Sequence, residues 1–223
     1  MSEFYYSGKI CQIVDFNKDT DGLFQFNFTE TNQELTEEIW SDTLTFSGWI
    51  DSELSKRNCR YGIGGYNELR KIYSRSTHFD GPEEPRRLHL GTDIWGPAGT
   101  LIYCPVEGMI HSFRYNEQFG DYGATIILQH EHELGTFFSL YGHLSLRSIE
   151  NISVGQFIEG GSPFADLGQA EENGGWPPHL HFQLIRDMQG NEGDYPGVCR
   201  FSEREQYLEN CPNPDIILSH TFQ

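Results

Sequence analysis

The run His179-Leu180-His181-Phe182-Gln183-Leu184-Ile185 constrains the fold more than any other stretch of the chain. Polar and apolar residues alternate in it. As a strand it places His179, His181 and Gln183 on one face and Leu180, Phe182 and Leu184 on the other. The apolar face needs a core to pack against, while the opposite face carries two imidazoles side by side on a rigid support. One histidine on an apolar surface is ordinarily a satisfied core residue. A pair over a packed strand is a route to a metal or acid–base site.

The rest of the chain fits a mainly β protein built as a compact antiparallel sheet or sandwich. Its 223 residues suit one domain with additions, and its 24 glycines separate short β-branched or aromatic runs. Strands are expected at Leu101–Tyr103, Gly108–Tyr115, Thr125–His130, Thr136–Tyr141, Phe157–Ile158 and His179–Ile185, with turns at Gly96-Pro97, 119–123, 133–135 and 159–161. Three parts are expected: an N-terminal α+β segment packing on the core (1–80), the β domain (81–190) and a C-terminal extension (191–223). No linker-like tract separates them, so the first part is expected to drape over the β core. Helices are expected over Thr31–Trp40 and Tyr66–Tyr73, and a short one over Ser202–Leu208. Cys211-Pro212-Asn213-Pro214 then breaks the chain into a tail.

A formal net charge of −18 argues against nucleic acids and anionic membrane surfaces as partners. No run approaches the roughly 18 apolar residues of a membrane helix, so no membrane insertion is expected. Met1–Tyr6 lacks a basic segment followed by an apolar one. With five widely spaced cysteines and no Cys-x-x-Cys, this reads as a cytoplasmic chain with reduced thiols, or a periplasmic or extracellular one if a leader has been removed.

Two further motifs join the histidine pair. His89-Leu90-Gly91-Thr92-Asp93 offers an imidazole and a carboxylate, and Ser139-Leu140-Tyr141-Gly142-His143 places a histidine after an apolar strand. A catalytic zinc site needs three protein ligands and one open position. His89, Asp93 and one of His179 and His181 supply two neutral nitrogens and a carboxylate. Two of His143, His179 and His181 then remain for proton transfer and oxyanion stabilisation. A set of ligands with spare imidazoles is hydrolytic in character, whereas structural zinc sites are usually closed and rich in cysteine.

His89-x-x-x-Asp93, Tyr141-Gly142-His143 and His179-Leu180-His181-Phe182, in this order, resemble the lysostaphin-type (LytM-like) zinc endopeptidases. Pro105-Val106-Glu107-Gly108, Gly120-Asp121-Tyr122-Gly123 and Val154-Gly155-Gln156 support the resemblance, which covers roughly residues 86–186. It implies the compact antiparallel β fold of that family (the duplicated hybrid motif type). It also implies a Zn2+ ion on His89, Asp93 and His181, with His143 and His179 flanking the water and the scissile carbonyl. The implied reaction is hydrolysis of a peptide bond in peptidoglycan cross-links or a related short peptide.

The chain departs from the family pattern at Gly174-Gly175-Trp176-Pro177-Pro178, where small residues are usual, and at Gln183, where Glu is frequent. Trp176 is a candidate wall of the substrate groove. Gln183 is a candidate for orienting one histidine without adding charge. An alternative reading is an intracellular metal-bearing module with a binding or regulatory role. The segments around Gly64–Glu68, Trp176–Pro178 and Gly193–Gly197 resemble peptidase-like modules found beside a kinase-like phosphotransferase and an aminotransferase in larger proteins. A wall-binding module without catalysis is a third reading. His130 and His132 read as solvated, and no role is expected for His78, His111 or His220.

Overall fold

The computed structural model describes residue 6, residues 8–132 and residues 135–222; the side chain of His132 and the expected turn at Glu133-Leu134 lie outside the described residues. In chain order the strands are β1 (Gly22–Phe26), β2 (Cys59–Gly64), β3 (Leu88–His89), β4 (Thr92–Trp95), β5 (Leu101–Tyr103), β6 (Gly108–Asn116), β7 (Gly123–His132), β8 (Gly135–Leu144), β9 (Phe157–Ile158), β10 (Pro163–Asp166), β11 (His179–Ile185) and β12 (Val198–Cys199). The α-helices are α1 (Glu37–Trp40), α2 (Thr43–Lys56), α3 (Arg204–Asn210) and α4 (Asp215–Phe222). An eight-stranded sheet runs β1-β2-β4-β11-β8-β7-β6-β9, and β10-β5 and β12-β3 form two small sheets. Neighbouring strands are antiparallel except β1 and β2, which are parallel.

β11 lies at the centre of the large sheet and is buried along its whole length. Leu180, Phe182 and Leu184 pack with Ile94, Ile126 and Tyr141 in the main core. That core is covered by Ile13, Val14 and Phe16 from the N-terminal part and by Ile217 and Leu218 of α4. The opposite face is shielded in part by a second, aromatic cluster. In it Phe46, Ile50 and Leu54, spaced four apart on α2, meet Phe26, Phe28, Trp95 and Trp176. Asp42 caps α2, its side chain accepting the Thr45 amide hydrogen bond.

The described residues before residue 81 are therefore built into the β core. β2 pairs with β4, and Gly64 stands opposite Asp93. A Cβ at Gly64 would lie 2.7 Å from the Arg70 guanidinium, so the missing side chain leaves that guanidinium its place.

Several local expectations are corrected. Thr31–Trp40 forms only the single turn α1, and the real helix, α2, follows it. Tyr66–Tyr73 is not helical. Asn67 donates to the His89 carbonyl, His89 to Glu68, and Arg70 to Arg87, so pairing with β3 overrides helix propensity until a 3₁₀ turn at Lys71–Arg75. The chain after Pro214 is helical (α4), with Asp215 in its first turn. Ser202–Leu208 divides into a 3₁₀ turn at Phe201–Glu203 and α3. Among the described residues no helix is long and apolar enough to cross a membrane. All five cysteines are free thiols.

Candidate metal centre and its cleft

Strand register assembles the centre. His181 stands opposite Asp93 on β4 and opposite Gly142 on β8, so both neighbours present the same face as the imidazole. A Cβ at Gly142 would lie 2.6 Å from the Tyr122 ring, which passes over this position. His89 ends β3, and only Leu90 and Gly91 separate it from Thr92 and Asp93 of β4. The register of β7 against β8 slips between Ala124 and Ile126, leaving an extra residue on β8 there. His143 lies in this bulge at φ +62°, a left-handed conformation rare outside glycine and costly enough to suggest a purpose.

The structure brings His89, Asp93 and His181 together as a candidate metal-binding cluster. His89 Nε2 lies 2.9 Å from His181 Nδ1 and 3.2 Å from Asp93 Oδ1, and His181 Nδ1 lies 3.1 Å from that same oxygen. Tetrahedral donors at about 2.0–2.1 Å from one zinc ion stand about 3.3 Å apart, close to these separations.

The hydrogen bonds behind the ligands sharpen the fit. His89 Nδ1 donates to the Gly65 carbonyl (2.9 Å), which leaves Nε2 with a lone pair. Gln183 spends its amide donors on the Pro196 carbonyl (3.2 Å) and Cys211 Sγ (3.3 Å), so its Oε1 faces His181 Nε2 at 2.9 Å and accepts from it. His181 Nδ1 is then also a lone pair. Three acceptor atoms thus converge with no proton of their own to share. A bound cation relieves that arrangement, and the partners behind the rings preset it.

Asp93 divides its two oxygens. Oδ1 faces the histidines, and Oδ2 accepts a 2.5 Å bond from Arg70. Arg70 is buried and also donates to Glu68 Oε2 at 2.7 Å, to the Tyr73 hydroxyl at 3.2 Å and to the Gly65 carbonyl at 3.3 Å. Burial opposes ionisation of Asp93, but His89 and the Arg70 guanidinium outweigh it and hold the carboxyl well below its ordinary range. Burial, then Arg70, pushes His89 down to about 3.

His143 and His179 stand beside this cluster with ring centroids 4.1 Å apart. His143 Nδ1 donates to the Asn173 carbonyl (2.7 Å) and His179 Nδ1 to the Pro177 carbonyl (2.8 Å), so each has a lone pair on Nε2. His179 stacks on Trp95 at 4.0 Å. Burial pushes His179 down to about 4 and, with His179 as a neighbour, His143 well below its ordinary value. Both are neutral bases at pH 7. The five residues are nearly sealed from solvent, His143 being the most exposed at 5%. A cleft of about 190 Å³ adjoins them.

Trp176 lines this cleft, as its place before the histidine pair suggested. His78, for which no role was expected, also lines it. The reading of His130 as solvated is corrected. It is buried 1% exposed, bonded to Ser139 Oγ and the Glu107 carbonyl, because it shares the inward parity of Ile126 and Leu128. His111 bonds Ser112, and His220 is exposed on α4. Arg70 and Glu68 were missed, since their segment carries no metal or catalytic spacing.

The fold and cluster define a β-sheet domain with a His-Asp-His set that could hold a metal ion and two further neutral histidines. The profile of Peptidase family M23 matches residues 87–193, a little under half of the chain. Over 110 residues the chain is 29% identical to the peptidoglycan DD-endopeptidase ShyC of Vibrio cholerae serotype O1, covering 45% of this chain and 23% of ShyC. Over 127 residues it is 24% identical to the L-Ala--D-Glu endopeptidase of Bacillus subtilis, covering 55% and 37%. The matches thus span well under half the length of these curated relatives. Among solved structures, the catalytic domain of lysostaphin from Staphylococcus simulans superposes with a TM-score of 0.46 at 21% identity, over 78% of this chain and 97% of that one.

Proposed function

We propose that the chain is a zinc-dependent endopeptidase that hydrolyses a peptide bond in peptidoglycan cross-links or a related short peptide. The convergence of three proton-free donor atoms, from His89, Asp93 and His181, carries this reading. The names of the relatives support the choice of substrate.

A zinc ion on these donors would supply a Lewis acid to polarise the amide carbonyl and activate water. The remaining steps belong to the protein. Nε2 of His143 or His179 takes the proton of the attacking water, and the protonated imidazole then donates to the departing amine nitrogen. The Asn173 and Pro177 carbonyls hold the two rings by their Nδ1–H groups, so that Nε2 is the atom offered in both. No covalent nucleophile takes part. Arg70 keeps Asp93 ionised and turned toward the histidines, and near-complete burial of the five residues excludes bulk water.

The test is zinc content and hydrolysis in two variants. His181→Ala is expected to lose zinc. His143→Ala is expected to keep zinc and lose release of new fragments from purified peptidoglycan, read by mass spectrometry. Full activity in both variants overturns the assignment.

A further inference from the structure

The two imidazoles left for proton transfer are each held by one backbone carbonyl, that of Asn173 for His143 and that of Pro177 for His179. Both carbonyls lie in one loop, residues 168–178, and one side chain ties this loop together. Asn173 is fully buried and does not line the cleft. Its Nδ2 donates to the Gly168 carbonyl at 3.2 Å and to the Trp176 carbonyl at 3.1 Å, and its Oδ1 accepts from the Trp176 amide at 3.0 Å. Both hydrogens of the side-chain amide are therefore spent inside the loop.

The route from that amide to His143 is short. Gly168 donates to the His143 carbonyl at 3.0 Å, and the Asn173 carbonyl accepts from His143 Nδ1 at 2.7 Å. The bond from Asn173 Nδ2 to the Gly168 carbonyl joins these two points of contact. The loop thus grips His143 by its backbone and by its ring, and this is the residue held at φ +62°.

The route to His179 crosses a soft joint and then a stiff one. Gly174 and Gly175 follow Asn173 at φ +86° and +81°, and two successive glycines fix little by themselves. The Asn173 side chain bridges them by bonding both the N–H and the C=O of Trp176. Pro177 and Pro178 come next. The Pro177 ring fixes its φ, and the proline after it confines its ψ to the extended range. The Pro177 carbonyl is then placed by the Trp176 carbonyl that Asn173 holds.

We infer that Asn173 is a positioning residue for both proton-transfer histidines, its side-chain amide setting the two carbonyls that keep His143 and His179 as bases at Nε2. The catalytic consequence rests on the peptidase reading above; the setting of the rings does not.

The experiment compares the wild type, Asn173→Ala and Pro177→Ala as full chains. The tautomers of His143 and His179 are read at pH 7 without zinc, by nitrogen NMR of isotope-labelled histidine. Zinc content, kcat and KM are read with zinc on a cross-linked muropeptide released by a muramidase. Each wild-type ring is expected as a single tautomer protonated at Nδ1. Asn173→Ala is expected to mix the tautomers of both rings, to keep zinc and KM, and to lower kcat on the order of 100-fold, the scale of a misplaced catalytic group. Pro177→Ala loosens the second route alone, so it is expected to mix the tautomers of His179 and leave His143 as in the wild type. Single wild-type tautomers in a folded Asn173→Ala overturn the inference, and so does a loss of kcat accompanied by loss of zinc. If Asn173→Ala does not fold, Pro177→Ala decides, and an unchanged His179 overturns the inference. No cutting by the zinc-loaded wild type overturns the peptidase reading instead, because the tautomers are read without zinc or substrate.

Discussion

Replacing Arg70 with methionine tests the electrostatic frame of the centre. The side chain keeps its length and apolar bulk but loses every donor. Glu68 tolerates the loss, because its Oε1 still accepts from the Phe28 amide at 3.2 Å and the carboxylate is partly exposed. Asp93 does not. Its side chain is 3% exposed, and among the described residues its Oδ2 is paired with the Arg70 guanidinium at 2.5 Å, the neutral His179 lying farther off at 3.9 Å. An ion pair at about 4 Å is worth about 4 kcal/mol at an effective dielectric of 20, and removing one partner of a buried pair costs about 3–5 kcal/mol. We expect Arg70→Met to lose about 3–5 kcal/mol of stability in metal-free protein.

Zinc changes that figure in a predictable direction. A cation on Asp93 Oδ1 supplies part of the positive charge that Arg70 provided, so the loss is smaller with zinc present. By linkage, each 1.4 kcal/mol of difference between the two states is a tenfold tightening of zinc binding in the variant. The assay is urea unfolding of both proteins in chelator and in excess zinc, with Arg70→Lys as an intermediate that keeps the charge and loses the planar fork. A metal-free loss below about 1 kcal/mol, as for an exposed ion pair, or an equal loss in both states, refutes this account.

Gln183→Leu removes the acceptor that sets the His181 tautomer, and zinc affinity is expected to fall about 10–100-fold in a chelator competition; unchanged affinity shows that the ring is oriented by other contacts. Stability should also depend on pH. His89, His130 and His179 are held near 3, 4 and 4 in the fold, whereas the unfolded chain protonates them near 6.5. Below about 6.5 the unfolded state therefore binds more protons, so stability is complete above that pH and falls as pH drops toward 4. Each histidine contributes about 1.4 kcal/mol per pH unit, about 4 kcal/mol for the three together. Urea midpoints of zinc-free protein that stay level between pH 7 and 5 would contradict this.

What the sequence made legible follows from periodicity and from motif spacing. Leu101–Tyr103, Phe157–Ile158 and His179–Ile185 are strands with the expected bounds, because alternation with one buried face leaves little choice of register. His89, Asp93 and His181 converge because an antiparallel pair sets Asp93 opposite His181. His130 was readable too, had the inward parity of Ile126 and Leu128 been carried one step further. α2 shows its apolar stripe only once its spacing of four is followed past the acidic residues before it. Arg70 was not legible in this way. It lies 23 residues before Asp93 in a stretch whose local pattern is helical, and its role arises only when β2 and β4 pair.

The same is true of the groups that preset the metal ligands. The Gly65 carbonyl fixes the His89 tautomer, and Pro196 and Cys211 fix the Gln183 amide that fixes His181. All three lie outside residues 87–193, the segment matched to the peptidase family. The candidate ligands belong to that segment, but the protons that leave their donor atoms free are placed by the chain on either side. The centre is therefore a property of the whole sheet, and cutting the chain back to the matched segment would remove Arg70, the Gly65 carbonyl and the Cys211 thiol together.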